Sequence, residues 1–269
     1  MKKLFLLSVL FLGTCDVPFV PIVHIAPATA AEGGAEIPDH DFSFEGPFGT
    51  YDRASLQRGF QVYQQVCAAC HGMDYLSYRN LTDLGYNEDE IKAIASQYTI
   101  MDGPNEEGEM FERTRKPSDR FKNPFANEQA ARYANNGAYP PDMSLIAKAR
   151  AGGADYIYAL LAKGYVDPPA DVQLGQGQYY NKYMAGQKIA MAQPLSEGIV
   201  DYADENTPET VSQYAHDVST FLMWAAEPRL EDRKRMGWKV ILFLAVFAGI
   251  MYMVKKKLWK KLKTPMPDR

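Results

Sequence analysis

Five consecutive residues carry the most explicit chemistry in this chain. Cys67-Ala68-Ala69-Cys70-His71 is a C-x-x-C-H sequence, the attachment pattern of a c-type haem. The reason is reach. Two thiols three residues apart can each add to one of a porphyrin's two vinyl groups, and the adjoining imidazole is then delivered to the iron. A thioredoxin-like dithiol needs no histidine immediately after it and expects a βαβ setting, which the surrounding sequence lacks. A zinc site needs two more ligands. Outside the motif only His24, His40, His216 and one further cysteine, Cys15, remain. The pattern occurs once, so one covalently bound haem c is expected, held by Cys67 and Cys70 with His71 as an axial iron ligand. With Cys15 in the leader described below, no disulfide framework is left to read.

The second axial position is less determined. Histidine–methionine ligation raises a haem potential and suits electron transfer, whereas an open position suits peroxide or gas chemistry. The chain has twelve methionines, and spacing alone does not choose among Met101, Met110, Met143, Met184, Met191 and Met223. Local composition favours Met191, which lies in a proline-marked segment far from the haem motif.

The motif must be presented by an element, and residues 52–71 read as a helix. Leu56, Phe60, Tyr63 and Cys67 recur on one face, with Asp52 as N-cap and Gly72 as stop. A short helix is expected over 87–98. Residues 102–127 are polar and punctuated by proline and glycine, and read as loop. Helical patterns follow at 144–150 and 154–163, then extended loop or a small hairpin over 164–187. A helix over 208–226 carries Val211, Tyr214, Ala215, Val218, Phe221 and Leu222 on one face, and Pro228 interrupts it.

The two chain ends give the topology. Met1-Lys2-Lys3, a short apolar run and an Ala-Thr-Ala-Ala ending read as a secretory signal peptide over residues 1–30. Residues 240–254 are an uninterrupted apolar run, and 236–255 have the length needed to cross a bilayer. Lys255, Lys256, Lys257, Lys260, Lys261 and Lys263 follow, so residues 256–269 are expected on the cytoplasmic side. The exported body, residues 31–232, holds 16 Lys+Arg against 31 Asp+Glu, a net of −15, and residues 233–269 carry +10. That acidic body argues against a nucleic-acid partner and suits a cationic protein. Glu88-Asp89-Glu90 and Glu106-Glu107 with Glu109 are its clearest carboxylate clusters.

Residues 44–73, FEGPFGTYDRASLQRGFQVYQQVCAACHGM, resemble the haem-binding helix of the cytochrome c1 family, the c-type haem subunits of the quinol–cytochrome c reductase or bc1 complex. The likeness recurs at 139–144 (YPPDMS), 148–153 (KARAGG), Asp155-Tyr156, Gly164-Tyr165, Asn181, 189–195 (IAMAQPL), Asp217-Val218 and 221–228 (FLMWAAEP), and so covers nearly the whole mature chain in order. The resemblance implies Met191 as the sixth ligand, Arg150 paired with a haem propionate, Tyr156 as a propionate hydrogen-bond donor, and Pro141 packed against the ring near His71. Some bacterial members carry an extra cysteine pair before the methionine ligand. This chain has none, so no disulfide can staple that loop.

The expected fold is all-α: a class I cytochrome c-like haem domain with long loops and one C-terminal transmembrane helix. The expected role is electron transfer rather than catalysis by this chain alone. By resemblance, electrons come from a Rieske iron–sulfur protein beside cytochrome b and leave to a soluble basic cytochrome c. The setting would be a bacterial inner membrane, with the haem domain in the periplasm. Two alternatives share the haem motif: a membrane-anchored cytochrome c subunit of a terminal oxidase or nitric oxide reductase, and a haem peroxidase.

Overall fold

The computed structural model describes residues 34–260; the expected leader with Cys15, and Lys261 and Lys263 of the basic tail, lie outside the described residues. Helix α1 (Arg53–Val62) starts where Asp52 accepts a hydrogen bond from the Ala54 amide at 3.1 Å. It does not run as an α-helix to His71. It loosens at once into a single π turn, Tyr63–Cys67, closed by the Ala68 amide donating to the Tyr63 carbonyl at 2.8 Å. A tight turn follows, in which the Cys70 and His71 amides both donate to the Cys67 carbonyl. The π turn inserts one residue into the helical register immediately before the haem motif, a placement common at functional sites.

A 3-10 turn (Tyr78–Leu84) and helix α2 (Glu88–Ser96) come next. Asn87 and Glu90 form a reciprocal capping box at the start of α2, which satisfies donors that a helix N-terminus otherwise leaves open. Strands β1 (Thr99–Asp102) and β2 (Phe111–Thr114) then pair antiparallel, with Thr99 opposite Thr114. This hairpin lies partly in a stretch read as loop. Neither strand has a buried face, so it leaves no alternating pattern to detect. Its bonds instead run through Arg113, which pairs with Asp102 and, at 2.6 Å, with Asp119.

Helix α3 (Glu128–Ala134) is short. The helix expected over 144–150 is a series of turns, and α4 (Gly153–Ala162) begins only after Gly152, whose φ of +84° suits glycine. Strands β3 (Tyr179–Tyr180) and β4 (Lys188–Ile189) form the small hairpin anticipated there. Helix α5 (Val211–Ala226) is the long buried helix of the domain, and it packs on both α1 and α4.

The α1–α5 crossing is the tightest helix–helix contact among the described residues. A Cβ on Gly59 would sit 2.1 Å from the Asp217 carbonyl oxygen and 2.7 Å from the Phe221 Cβ, so only glycine lets the helices approach this closely. Beside it Arg58 grips the fully buried Asp217 carboxylate in a bidentate pair at 2.8 and 3.0 Å. Tyr202 and Gln213 each donate to the same carboxylate at 3.0 Å. A buried charge is tolerated when its acceptor sites are this fully used. Leu56, Phe60, Val218, Phe221 and Leu222 fill the interface around it.

Helix α6 (Leu230–Lys260) has 31 residues and is the one helix among those described that is long and apolar enough to cross a membrane. It starts several residues before the expected span, because its first turn belongs to the globular body. Glu231 accepts from the Tyr51 amide at 2.9 Å and pairs with Arg53 at 3.1 Å. Lys234 donates to the carbonyls of Phe44 and Gly49.

Asp217→Ala leaves Arg58 without its partner, and the expected loss in unfolding free energy is about 3–5 kcal/mol, read by denaturant titration of the full chain. A loss below about 1 kcal/mol would show that the pair does not hold the crossing.

Candidate haem site

His71 is oriented by the main chain of a distant segment. Its Nδ1 lies 2.8 Å from the Pro141 carbonyl oxygen. A carbonyl only accepts, so Nδ1 carries the proton and Nε2 keeps its lone pair. Nε2 has no hydrogen-bond partner among the described residues. Burial lowers the His71 pKa, against smaller opposing effects from the Pro141 bond and Asp142, so the ring is neutral at pH 7. A neutral imidazole with one nitrogen fixed by a carbonyl and the other free is the arrangement found at metal-ligating histidines.

The Pro141 carbonyl is held in place by a clasp between residues 72–75 and 141–144. Asp142 accepts from the Asp74 amide at 2.7 Å and from the Ser144 amide at 2.8 Å. The buried Ser144 hydroxyl accepts from the Tyr75 amide at 3.1 Å, and the Met143 amide donates to the Gly72 carbonyl at 2.9 Å. Asn123 packs against Gly72, where a Cβ would stand 2.3 Å from its Oδ1, and donates to Asp74 at 2.7 Å. Tyr63, one π turn before Cys67, donates to the His71 carbonyl at 3.1 Å.

Burial and the neighbouring Cys70 push the Cys67 thiol up to about 12. Cys70 is exposed, and the two cysteines are not paired with each other.

A second group of predicted site residues gathers on α4 and the loops after it. Tyr156 is half-buried, and its hydroxyl donates to the Met184 sulfur at 3.5 Å. Arg150 is exposed and lies beside Tyr156, and its guanidinium donates to the carbonyl of its neighbour Ala149 at 3.1 Å. Tyr165 lies near Tyr156 and donates from its hydroxyl to the Met191 carbonyl at 3.0 Å and the Ala192 carbonyl at 3.4 Å. The Met191 loop thus has a polar staple in place of a disulfide. Burial, with the hydroxyls of Tyr156 and Tyr179 close by, raises the Tyr165 pKa well above the ordinary range, so it remains a donor.

Buried Asn181 supports this group from behind. It donates to the Leu160 carbonyl at 2.9 Å and accepts from the Tyr183 amide at 3.1 Å. A Cβ on Gly164 would fall 2.3 Å from it.

The residues fit a haem on donor chemistry and on surface. Two thiols and a free imidazole nitrogen share one turn. Cys67, Ile146, Tyr156, Met184, Ile189 and Met191 are apolar or aromatic, pack against the core, and remain only half-buried, as the walls of a cradle for a flat apolar group would be. Two cavities border the turn that carries this donor set. One of about 350 Å³ is lined by Phe60, Tyr63, Ala68, Tyr78, Tyr98 and Phe121 among others. The other, of about 130 Å³, lies by Cys70, Asn123 and Tyr139. The role of Tyr165 and the use of the Pro141 carbonyl are additions to the sequence reading. Tyr165 belongs to the Gly164-Tyr165 pair of the family resemblance, but nothing in its residue type announces its partner.

The family model described as Cytochrome C1 family matches residues 42–262. The chain belongs to the cytochrome c1 family. It is 50% identical over 242 residues to cytochrome c1-1, heme protein, mitochondrial, of Solanum tuberosum, covering 89% of this chain and 74% of that one. It is 44% identical to cytochrome c1 of Rhodospirillum rubrum, covering 88% and 92%. It is 49% identical over 253 residues to cytochrome b/c1 of Bradyrhizobium diazoefficiens, covering 86% of this chain but spanning only 37% of that longer protein. As a cytochrome c1 chain it is helix-rich, with a haem domain and one long apolar C-terminal helix.

Proposed function

We propose that this cytochrome c1 chain is the membrane-anchored c-type haem subunit of a bc1-type quinol–cytochrome c reductase, and that it carries electrons rather than performing acid–base or nucleophilic chemistry itself. The observation that carries the reading is the His71 ring, neutral, fixed at Nδ1 by Pro141 and free at Nε2, on a turn that also bears Cys67 and Cys70. Haem, once bound there, supplies one-electron exchange between ferrous and ferric iron. The chain's own residues attach it, orient it, set its surroundings and dock its partners.

Cys67 and Cys70 would hold one haem through thioether bonds, and His71 Nε2 would take one axial position. For the other, exposure and neighbours favour one of six methionines. Met101 and Met110 are both 59% exposed. Met143 is tied to Gly72 on the His71 side. Met223 sits on α5, its carbonyl accepting from Tyr51 at 3.3 Å. Met184 and Met191 remain, and the Met184 sulfur already accepts from Tyr156. Met191, with its loop fixed by Tyr165, is the sixth ligand in this reading. Arg150 and Tyr156, side by side, offer a guanidinium and a hydroxyl to a haem propionate, a geometry suited to carboxylates. Pro141 would pack against the haem ring near His71, whose imidazole its carbonyl holds.

The partners follow from the family and the charge. The bacterial relative named cytochrome b/c1 supports association with cytochrome b, and the Rieske iron–sulfur protein is the proposed electron donor. A soluble basic cytochrome c is the proposed acceptor, drawn by the −15 body. Of the two acidic clusters, Glu88-Asp89-Glu90 also serves its own helix, since Glu90 caps α2 and all three favour its N-terminus. Glu106, Glu107 and Glu109 stand exposed between β1 and β2 and are the better steering group. The domain is proposed to face the periplasm of a bacterial inner membrane, with the lysine-rich end cytoplasmic.

Met191→Leu is expected to abolish the far-red methionine–ferric iron band and to lower the midpoint potential by on the order of 100 mV, part of the range that axial ligands command. An unchanged spectrum and potential would assign the sixth ligand elsewhere, with Met184 next to be replaced. Electron transfer to a basic cytochrome c is expected to slow severalfold as ionic strength rises to about 0.15 M, where the Debye length is about 8 Å. A rate indifferent to salt would remove the steering role from the acidic body.

A further inference from the structure

The junction between the globular body and α6 shows a second feature aimed at the membrane. Along α6, Trp238 and Trp259 are 45% and 56% exposed. They stand 21 residues apart on one helix, about 32 Å at 1.5 Å per residue, close to the roughly 30 Å of a bilayer's hydrocarbon core. Aromatic residues at such a spacing mark the two headgroup levels. Trp238 therefore fixes the height of the interface on the side of the globular body.

Phe48 stacks on that tryptophan. The two rings are 5.2 Å apart at their centroids and 5° from parallel, yet Phe48 is still 76% exposed. It sits on a tight, uncharged tip, Gly46-Pro47-Phe48-Gly49. Glycine at 49 is required because a Cβ there would collide with the Glu45 carbonyl, at 1.9 Å. The loop cannot swing away from the helix. Lys234 donates to the carbonyls of Phe44 and Gly49 at 2.6 and 3.0 Å, and Glu231 holds the Tyr51 amide. A large aromatic side chain is thus held rigidly outside the core at the height of an interfacial tryptophan, where its burial in the lipid interface is favourable.

We propose that residues 46–49 form a second membrane contact, with Phe48 lying among the lipid headgroups beside Trp238. This rests on α6 crossing a bilayer, and goes beyond it. A single helix leaves the body free to tilt about its anchor. Two contacts joined by Lys234 and Glu231 fix the tilt, and with it the height and facing of the haem domain above the membrane. Lipid is favoured over a protein partner because the loop tip is uncharged and its one large side chain is stacked on the interfacial tryptophan.

The test is a nitroxide attached at Phe48→Cys in the haem-loaded full chain, in phosphatidylcholine vesicles and in the purified membrane complex. Collisions are compared for oxygen, which partitions into lipid, and a nickel chelate, which stays in water. Labels at Glu107→Cys and Phe247→Cys provide the aqueous and bilayer references, and the unsubstituted chain provides the background. The expected result is nickel accessibility severalfold below that of position 107, with a depth between those of 107 and 247. Accessibility equal to that of position 107 overturns the proposal. So does occlusion from both reagents in the complex, which would mean that a neighbouring subunit covers the loop. If position 247 itself reads as aqueous, the membrane-anchor reading fails and the loop contact falls with it.

Discussion

The hydrogen bond from His71 Nδ1 to the Pro141 carbonyl joins residues 70 positions apart, and much of the structure serves to keep its two ends together. One end depends on α1, whose π turn and closing turn set Cys67, Cys70 and His71 in a single bend. The other end depends on Asp142 and Ser144, which tie the proline segment to the residues just after the haem motif. Behind both stands the α1–α5 crossing, where Gly59 permits close approach and Arg58 with Asp217 locks it. Loss of the crossing would move the turn; loss of the clasp would free the imidazole. The chemistry of the site requires one nitrogen with a lone pair in a fixed direction, and the fold supplies that constraint through main-chain carbonyls rather than through a second charged side chain.

A similar economy governs the far side of the site. Tyr165 reaches the Met191 and Ala192 carbonyls, and Asn181 fixes the turn beneath it by bonding to two main-chain groups. Gly164 must be glycine because Asn181 occupies the space of its Cβ. The motif residues after α4 thus form a mechanical series from the buried core to the Met191 loop.

The haem motif, the helix that bears it, α2, α5 and the membrane helix were legible because each has a strong local signal: the C-x-x-C-H spacing, a capping residue, a 3.6-residue apolar period, or an unbroken apolar run. The β1–β2 hairpin was not legible, because neither strand has a buried face and its side-chain bonds run through arginines rather than through an apolar pattern. Residues 144–150 carry a helical pattern, but the Ser144 amide donates to the Asp142 carboxylate and its hydroxyl accepts from the Tyr75 amide, both within the clasp. The π turn is invisible to periodicity, since it shifts the register by one residue. Arg150 and Tyr156 follow from family resemblance alone, whereas Met191 is also favoured by its proline-marked setting. The structure adds that Arg150 touches Tyr156 and that the Met191 loop is fastened. Residue type could not reveal that Pro141 contributes its carbonyl, because every residue has one.

The central claim is that this turn holds a single haem by two thioether bonds under His71. The most direct measurement is intact-mass spectrometry of the mature chain under denaturing conditions, followed by mapping of the peptide that contains Cys67 and Cys70. The account predicts a mass greater than the polypeptide by one haem, with the whole increment on that peptide. A bare polypeptide mass with both thiols free to alkylation would contradict it.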